Sequence, residues 1–324
     1  MSIVVTGSLA YDYIMDFPGY FKDHILPEKA HILSVSFLVD SMQKMRGGVA
    51  GNIAYNIALL GEPPKIVGAV GEDFDDYRTW MNDHGVDTNH IKVIPNESTS
   101  SCFITTDKAD NQIVAFYAGA MPNARELTLG DKGFGENDLV LISPSDSEAM
   151  KLLALDCQRN NIPYIFDPGK QTPRMEPEQI HAGLVGARVL IGNDYEFGMM
   201  ARLLEMSEEE LIKKAPMTVI TRGEQGSTIY VNSEDGGQTE INIPLAKIHE
   251  VRDPTGAGDA YLGGFAFGLV RGFPLEVTGR IAALSAVYAI EKHGCQEHQY
   301  TLQEFVSRYK DNFGTNEFIE SLVK

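Results

Sequence analysis

A chain of 324 residues, 43% of them hydrophobic, carries enough apolar side chains for one large α/β domain plus an accessory piece, and the composition gives no sign of disorder. Its 45 acidic against 27 basic residues set a net charge of −18, which argues against nucleic acid or an anionic membrane as a main partner and obliges any anionic substrate to find a local positive or amide-lined site. The three cysteines, Cys102, Cys157 and Cys295, make no close-spaced pair and no zinc pattern, so a reducing, cytoplasmic setting is expected.

The first residues show no basic segment and no long apolar run, so no signal peptide is expected. No stretch approaches a transmembrane length, and there is no fixed-period repeat.

Residues 3–6 form a β-branched run that predicts a buried strand ending at Gly7-Ser8. Asp12 follows it. Open α/β sheets place ligands at the carboxyl ends of strands, which suits Asp12, although a lone aspartate there is more often a turn or cap residue. Residues 13–45 mix aromatic and charged side chains, with a weak strand over 35–40, and predict a lid or small sheet leaving the main domain. Arg46-Gly47-Gly48-Val49-Ala50-Gly51-Asn52 then enters a helix whose Ile53, Ala54, Ile57, Ala58 and Leu60 share a broad apolar face. The diglycine admits a small polar ligand, and Asn52 and Asn56 are poor helix formers; a glycine turn with asparagine caps explains the string equally well.

A strand is predicted over 65–70 and a helix over 74–84, broken by Gly85. Alternation over 99–106 and 112–118 predicts a hairpin turning at 107–111. Its Phe103, Phe116 and Tyr117 suit either a core or a surface that stacks on a planar ring. From residue 138 strands at 139–142, 164–166, 189–191 and 219–221 alternate with helices, the first over 146–160, which predicts a mostly parallel, doubly wound sheet. Asp167-Pro168-Gly169, Asn193-Asp194-Tyr195-Glu196 and Arg222 to Gly226 each sit just past a strand. Asn193 and Glu196 lie one helical turn apart, which fits water-mediated magnesium and a capping box alike. Gly223 and Gly226 make either a simple turn or an approach to nucleotide phosphates.

The chain is organised around Asp253-Pro254-Thr255-Gly256-Ala257-Gly258-Asp259, which follows an extended segment at 248–252 and opens a helix running to about 270. Two glycines flanking an alanine at a helix start leave backbone N–H groups free to cradle an anion. A carboxylate beside such a cradle would repel anions, so Asp259 makes sense as a base that takes the proton of a hydroxyl attacking a phosphorus held there. The Walker A pattern is absent, and the dinucleotide fingerprint would need glycine where Tyr261 stands. A further helix over 276–292, ended by Gly294-Cys295, is placed to border an adenine pocket. His293 and His298 lack metal-ligand spacing and read as structural or surface residues.

In series, the Gly-Gly with Asn52, the Asn193–Glu196 pair, Thr221 with Gly223 and Gly226, and the Asp253–Asp259 string resemble the ribokinase-like (PfkB) carbohydrate and nucleoside kinases over almost the whole chain. Within that family the chain looks most like the bacterial adenosine kinases of the mycobacterial type, through VTGSLAYDYIMDFPGYF…LPE, SFLVD, RGGVAGN, FYAGAMPNAR and GCQEHQY. The resemblance implies a ribokinase-like α/β fold with a small β-sheet lid, a large domain of residues 1–10, 46–97 and 123–324, and a lid of residues 11–45 and 98–122. It implies ATP and Mg2+ as cofactors, with a monovalent cation such as K+ as an accessory. Asp12, Gly48 and Asn52 would bind ribose hydroxyls with Ser8 and Ser36 nearby; Phe103 and Phe116 would sandwich a purine; Gln171 and Arg174 would lie near the nucleoside. Lys170 departs from the uncharged amide expected beside them. Asn193, Thr221, Gly223 and Gly226 would face ATP, Glu196 would act through magnesium, Gly256–Ala257–Gly258 would cradle the phosphoryl group, and Asp259 would be the base. The expected activity is ATP-dependent phosphorylation of adenosine, with a sugar kinase (ribose, fructose or a fructose phosphate) as the alternative and a non-catalytic nucleoside sensor or a dehydrogenase behind it. Exposed lid edges predict a homodimer.

Overall fold

The computed structural model describes residues 1–25, 31–32, 34–233 and 235–324. Its strands are β1 (Ser2–Thr6), β2 (Ala10–Asp16), β3 (Ser41–Gly47), β4 (Lys65–Val70), β5 (Ile91–Val93), β6 (Ser100–Thr106), β7 (Gln112–Tyr117), β8 (Asp138–Ile142), β9 (Tyr164–Phe166), β10 (Val189–Asn193), β11 (Met217–Thr221), β12 (Ser227–Asn232) and β13 (Gln238–Ile243). The helices are α1 (Val49–Leu59), α2 (Asp75–Asp83), α3 (Ser147–Arg159), α4 (Pro177–Leu184), α5 (Asp194–Leu203), α6 (Glu208–Ile212), α7 (Ala257–Val270), α8 (Leu275–Ile290), α9 (Leu302–Phe313) and α10 (Glu317–Glu320).

Nine strands make the large sheet in the order β13-β12-β11-β10-β9-β8-β1-β4-β5, parallel from β11 to β5. Successive side chains of a strand point to opposite faces, so each inner strand feeds two cores. Val4, Val140, Ile142 and Leu190 pack under α3–α6, whereas Ile3, Val5, Leu139, Leu141 and Ile191 pack under α1, α2, α7 and α8. That burial on both sides is why these strands read as continuous apolar runs. β12 and β13 add an antiparallel edge whose outer strand is mostly exposed, and its polar sequence gives no strand signal.

The chain enters β1 at the centre, adds β4 and β5 on one side, and returns to add β8 on the other. The order reverses at β1, and ligands of open α/β sheets bind at such a switch point. There the chain also leaves to build a second, four-stranded sheet, ordered β3-β2-β6-β7. One expectation changes. Residues 35–40 form no strand; Phe37 instead joins a ring cluster with Phe17, Phe21 and His24, and β3 begins only at Ser41. Residues 248–252, expected as an extended segment, lie outside both sheets. Leu26-Pro27-Glu28, part of the resemblance, lie outside the described residues. No described helix is long and apolar enough to cross a membrane.

Candidate active site

A cleft of about 590 Å³ opens where the carboxyl ends of β1, β8, β9, β10 and β11 face the inner side of the smaller sheet. Its floor is the start of α7. Gly256 caps that helix at φ 80°, a left-handed conformation that suits glycine, and an added Cβ would lie 2.9 Å from the Cys295 Sγ. Ala257 N donates back to Pro254 O at 3.3 Å, while among the described residues the amides of Gly256, Gly258 and Asp259 have no hydrogen-bond acceptor. Of the Gly256–Ala257–Gly258 cradle the sequence expects, the two glycine amides are thus free and that of Ala257 is engaged, and free amides at a helix start are able to hold an anion.

Asp259 directly follows Gly258 in the first turn of α7. Its Oδ2 accepts from Asn52 Nδ2 at 2.7 Å. Burial of the carboxyl pushes its pKa up to about 6; Glu196 adds to the rise, and the Asn52 hydrogen bond and the Lys170 charge oppose it. Asp12 lines the opposite side and is also pushed up to about 6 by burial, against the pull of Lys170. Asp167, at the end of β9, is raised well above the usual carboxylate range, by burial first and then by Glu196 and Asp259. No ion pair among the described residues includes Asp12, Asp167, Glu196 or Asp259. Lys170 is the one Lys or Arg that lines the cleft among the described residues.

The sequence left Asn193 and Glu196 open between capping box and metal. The capping box is there: Asn193 Oδ1 accepts from Glu196 N, and Glu196 Oε2 accepts from Asn193 N, both at 2.8 Å. Both residues also line the cleft, and burial raises the Glu196 carboxyl above its ordinary range. No group of three or more His, Cys, Asp or Glu among the described residues makes a ready-made metal cage.

Gly48, at φ 85°, caps α1 where an added Cβ would come within 2.6 Å of Ser8 O and Ala10 N. Ser8 lines the cleft, with its Oγ accepting from Val49 N at 3.2 Å. Thr221 lines both this cleft and an adjoining apolar pocket of about 310 Å³. Gly223 and Gly226 border that second pocket, and α8 walls it with Ala283, Ala286, Val287 and Ile290. His298 is buried, joined to Asn56 Oδ1 at 2.9 Å and pushed down to about 4 by burial, which is the structural role read for it.

Four expected contacts are not brought together. Cys102 pairs with Phe116 across β6 and β7, so those two share a face and Phe103 must take the other. Phe116 lines the cleft; Phe103 stacks on Tyr13 at 4.9 Å on the outer side. The two phenylalanines therefore do not sandwich one ring. Ser36 is exposed in the irregular stretch before β3, away from the cleft lining. Gln171 and Arg174 also lie off the lining, because the six-residue 3-10 helix after β9 presents Lys170 instead. Sequence reasoning placed Asp167 just past a strand but gave it no role, and it missed Ile104 and Val114. Period-two alternation from Phe116 would have found Val114, and its pairing with Ile104 follows.

The model of the pfkB family of carbohydrate kinases matches residues 3–301. The chain belongs to that family and is a kinase, a phosphotransferase with a hydroxyl acceptor. A nucleoside kinase of Methanocaldococcus jannaschii is 31% identical over 308 residues, 94% of this chain and 96% of that protein. Among solved structures, Burkholderia thailandensis nucleoside kinase in complex with inosine aligns with a TM-score of 0.83 and 33% identity, over 97% of this chain and 99% of that one. The same protein in complex with ADP-inosine aligns with a TM-score of 0.81 and 34% identity, over 97% of each chain.

Proposed function

We propose that this pfkB-family kinase transfers the γ-phosphoryl group of ATP to the 5′-hydroxyl of a purine nucleoside, adenosine foremost, giving a nucleoside monophosphate and ADP. One observation carries the reading: Asp259, its amide cradle and an apolar sheet face with Phe116, Ile104 and Val114 line one cleft, with a second apolar pocket adjoining the cradle. A base, a phosphate site and surfaces for two planar rings are what such a transfer needs. The nucleoside kinases among the relatives support the acceptor class.

In this scheme adenine of ATP occupies the pocket beside α8, and its phosphates run past Thr221 and Asn193 to Gly256–Gly258. The acceptor's ribose meets Asp12, Gly48 and Asn52, and its base lies against Phe116. Asp259 takes the 5′-hydroxyl proton as that oxygen bonds to the γ-phosphorus; the bond to the ADP oxygen breaks, and the free amides hold the charge on the transferring group. Hard carboxylate oxygens without cationic partners suit Mg2+, so Glu196, through water, and Asp167 would hold it, and it would neutralise phosphate charge. An accessory K+ belongs to the same proposal. Residues 11–45 and 98–122 act as the lid over the large domain (1–10, 46–97 and 123–324) and exclude water from the site. A phosphosugar acceptor is disfavoured, because Arg46 lies over the Trp80 ring at 4.5 Å and leaves Lys170 as the cleft's cation.

The test is Mg2+- and ATP-dependent ADP release with adenosine, inosine, guanosine, ribose, fructose and fructose phosphates, with Asp259→Asn in parallel. Turnover with adenosine that falls by about 10²–10⁴-fold in the variant is the expected result. Turnover with a sugar alone would overturn the acceptor, and an unimpaired variant would overturn the base.

A further inference from the structure

Behind Asp259, buried polar side chains carry the hydrogen bonding away from the cleft. Asn52, which donates to Asp259, accepts at Oδ1 from Gln296 Nε2 at 2.8 Å. Gln296 Nε2 also donates to Tyr77 Oη at 2.5 Å, and Tyr77 Oη donates to the backbone oxygen of Gly47 at 3.0 Å. Gly47 is the last residue of β3, where the smaller sheet joins α1. Asn52, Gln296 and Tyr77 are 5%, 2% and 0% exposed, so no bulk water substitutes for these bonds.

With Asp259 ionised, the donors and acceptors take one order, which leaves Gln296 Oε1 as the one buried side-chain polar atom of this hydrogen-bonded series without a partner among the described residues. The Gly47 oxygen can only accept, so Tyr77 gives its single proton there and offers a lone pair to Gln296. That lone pair draws the Gln296 NH2 group, whose other hydrogen meets the Asn52 oxygen. Asn52 is then left with its own NH2 facing Asp259. If Asn52 were reversed, an amide oxygen would face the carboxylate and an NH2 would face an NH2. The packing keeps room for this arrangement: on α1, a Cβ at Gly51 would overlap the Tyr77 hydroxyl and lie 3.0 Å from Gln296 Nε2.

We propose that Tyr77 and Gln296 are positioning residues for the phosphoryl transfer: they hold the Asn52 NH2 group on Asp259 and tie that arrangement to the root of the smaller sheet at Gly47. The proposal rests on the reading of Asp259 as the base. A strut of this polarity favours the ionised carboxylate, the form a base needs, and it makes the base sensitive to how β3 is seated. Neither residue lines the cleft, so neither touches substrate.

The experiment is kcat and KM against pH for Tyr77→Phe, Gln296→Met and the double variant, with Asp259→Asn alongside and thermal unfolding of each. Tyr77→Phe removes only a hydroxyl from a ring that stays packed against Phe74 and Tyr11, so the fold survives. Each single variant is expected to lower kcat about tenfold and leave the ATP KM within about twofold. Each should also move the acid limb of kcat up by about one pH unit, because the carboxylate loses its oriented donor. The double variant should be no slower than Gln296→Met alone, since both act through one strut. A native rate and limb in the folded variants overturns the proposal, and so does a lost rate with an unmoved limb, which is the signature of loosened packing. Additive losses overturn it as well. If Asp259→Asn keeps the native rate, the base assignment fails and takes the strut with it. If that variant collapses while Tyr77→Phe and Gln296→Met behave as native, only the strut fails.

Discussion

The α7 wall of the cleft and the smaller-sheet wall that faces it differ in how their side chains are held. On the α7 side Asp259 is joined to Asn52, Asn52 to Gln296, and Asp253 accepts from the amides of Thr255 and Gly294 at 2.9 and 3.1 Å. On the sheet side Val114 and Phe116 are 54% and 46% exposed and no hydrogen bond orients them. Phosphoryl transfer needs a base and a cradle placed to within fractions of an ångström, and a wall whose two aspartates are held by hydrogen bonds can keep that placement. Choosing an acceptor needs apolar area that a ligand can cover, and an exposed wall supplies it by losing water on binding. Damage to the first wall should therefore appear in kcat and damage to the second in the acceptor KM.

The largest effect that can sharpen this contrast is expected from Gly256→Ala. The added Cβ meets a left-handed φ of 80° and the Cys295 side chain 2.9 Å away, so the loop must shift. A cradle displaced by about 1 Å should cost about 10²-fold in kcat. Steady-state kinetics with the acceptor varied will show whether its KM stays near native. A rise in acceptor KM with kcat intact would break the contrast, because the cradle would then be binding the acceptor.

A smaller effect is expected from Phe116→Ala, set against Phe103→Ala as its control on the same hairpin. Removing the inward ring should raise the nucleoside KM about tenfold, the worth of about 1–1.5 kcal/mol of aromatic contact, with little change in kcat. Removing the outward ring should leave both constants alone. Phe103 shares the outer face with the exposed Ile113 and Tyr117, so its loss should instead weaken the proposed homodimer, which sedimentation would register. Equal rises in KM for the two variants would restore the sandwich that the strand register argues against.

The inner strands of the large sheet were legible because burial on two faces writes an unbroken apolar run, and the start of α7 because its glycines and Asp259 have few other uses together. The hairpin over β6 and β7 was legible too, but not the face its rings take. Spacing of thirteen between Phe103 and Phe116 gives no parity until the turn fixes the register, and that register pairs Phe116 with Cys102. Asp167 was visible at the end of β9, yet its closeness to Glu196 and Asp259 depends on the ends of β9 and β10 meeting the start of α7, which no local pattern records. The Tyr77–Gln296 contact joins residues 219 positions apart and has no sequence signal at all.

The smallest expected effect concerns Lys170, the cation that stands where the family resemblance calls for an uncharged amide. Its charge holds down the pKa of Asp259, Asp12 and Glu196, although burial wins at all three. Asp259 must be ionised to accept a proton, so the native rate should fall as pH drops through about 6, rather than through the ordinary carboxylate range. Lys170→Gln keeps hydrogen-bonding capacity but deletes the charge. The base is then harder to ionise, and the acid limb should move to higher pH by about half a unit, with a loss at neutral pH of about twofold or less. A downward shift would mean that Lys170 donates to the neutral form of a neighbour rather than favouring the charged form of the base. An unmoved limb would mean that solvent in the open cleft screens the lysine from Asp259, and the polar wall would then set the base's pKa without help from across the cleft.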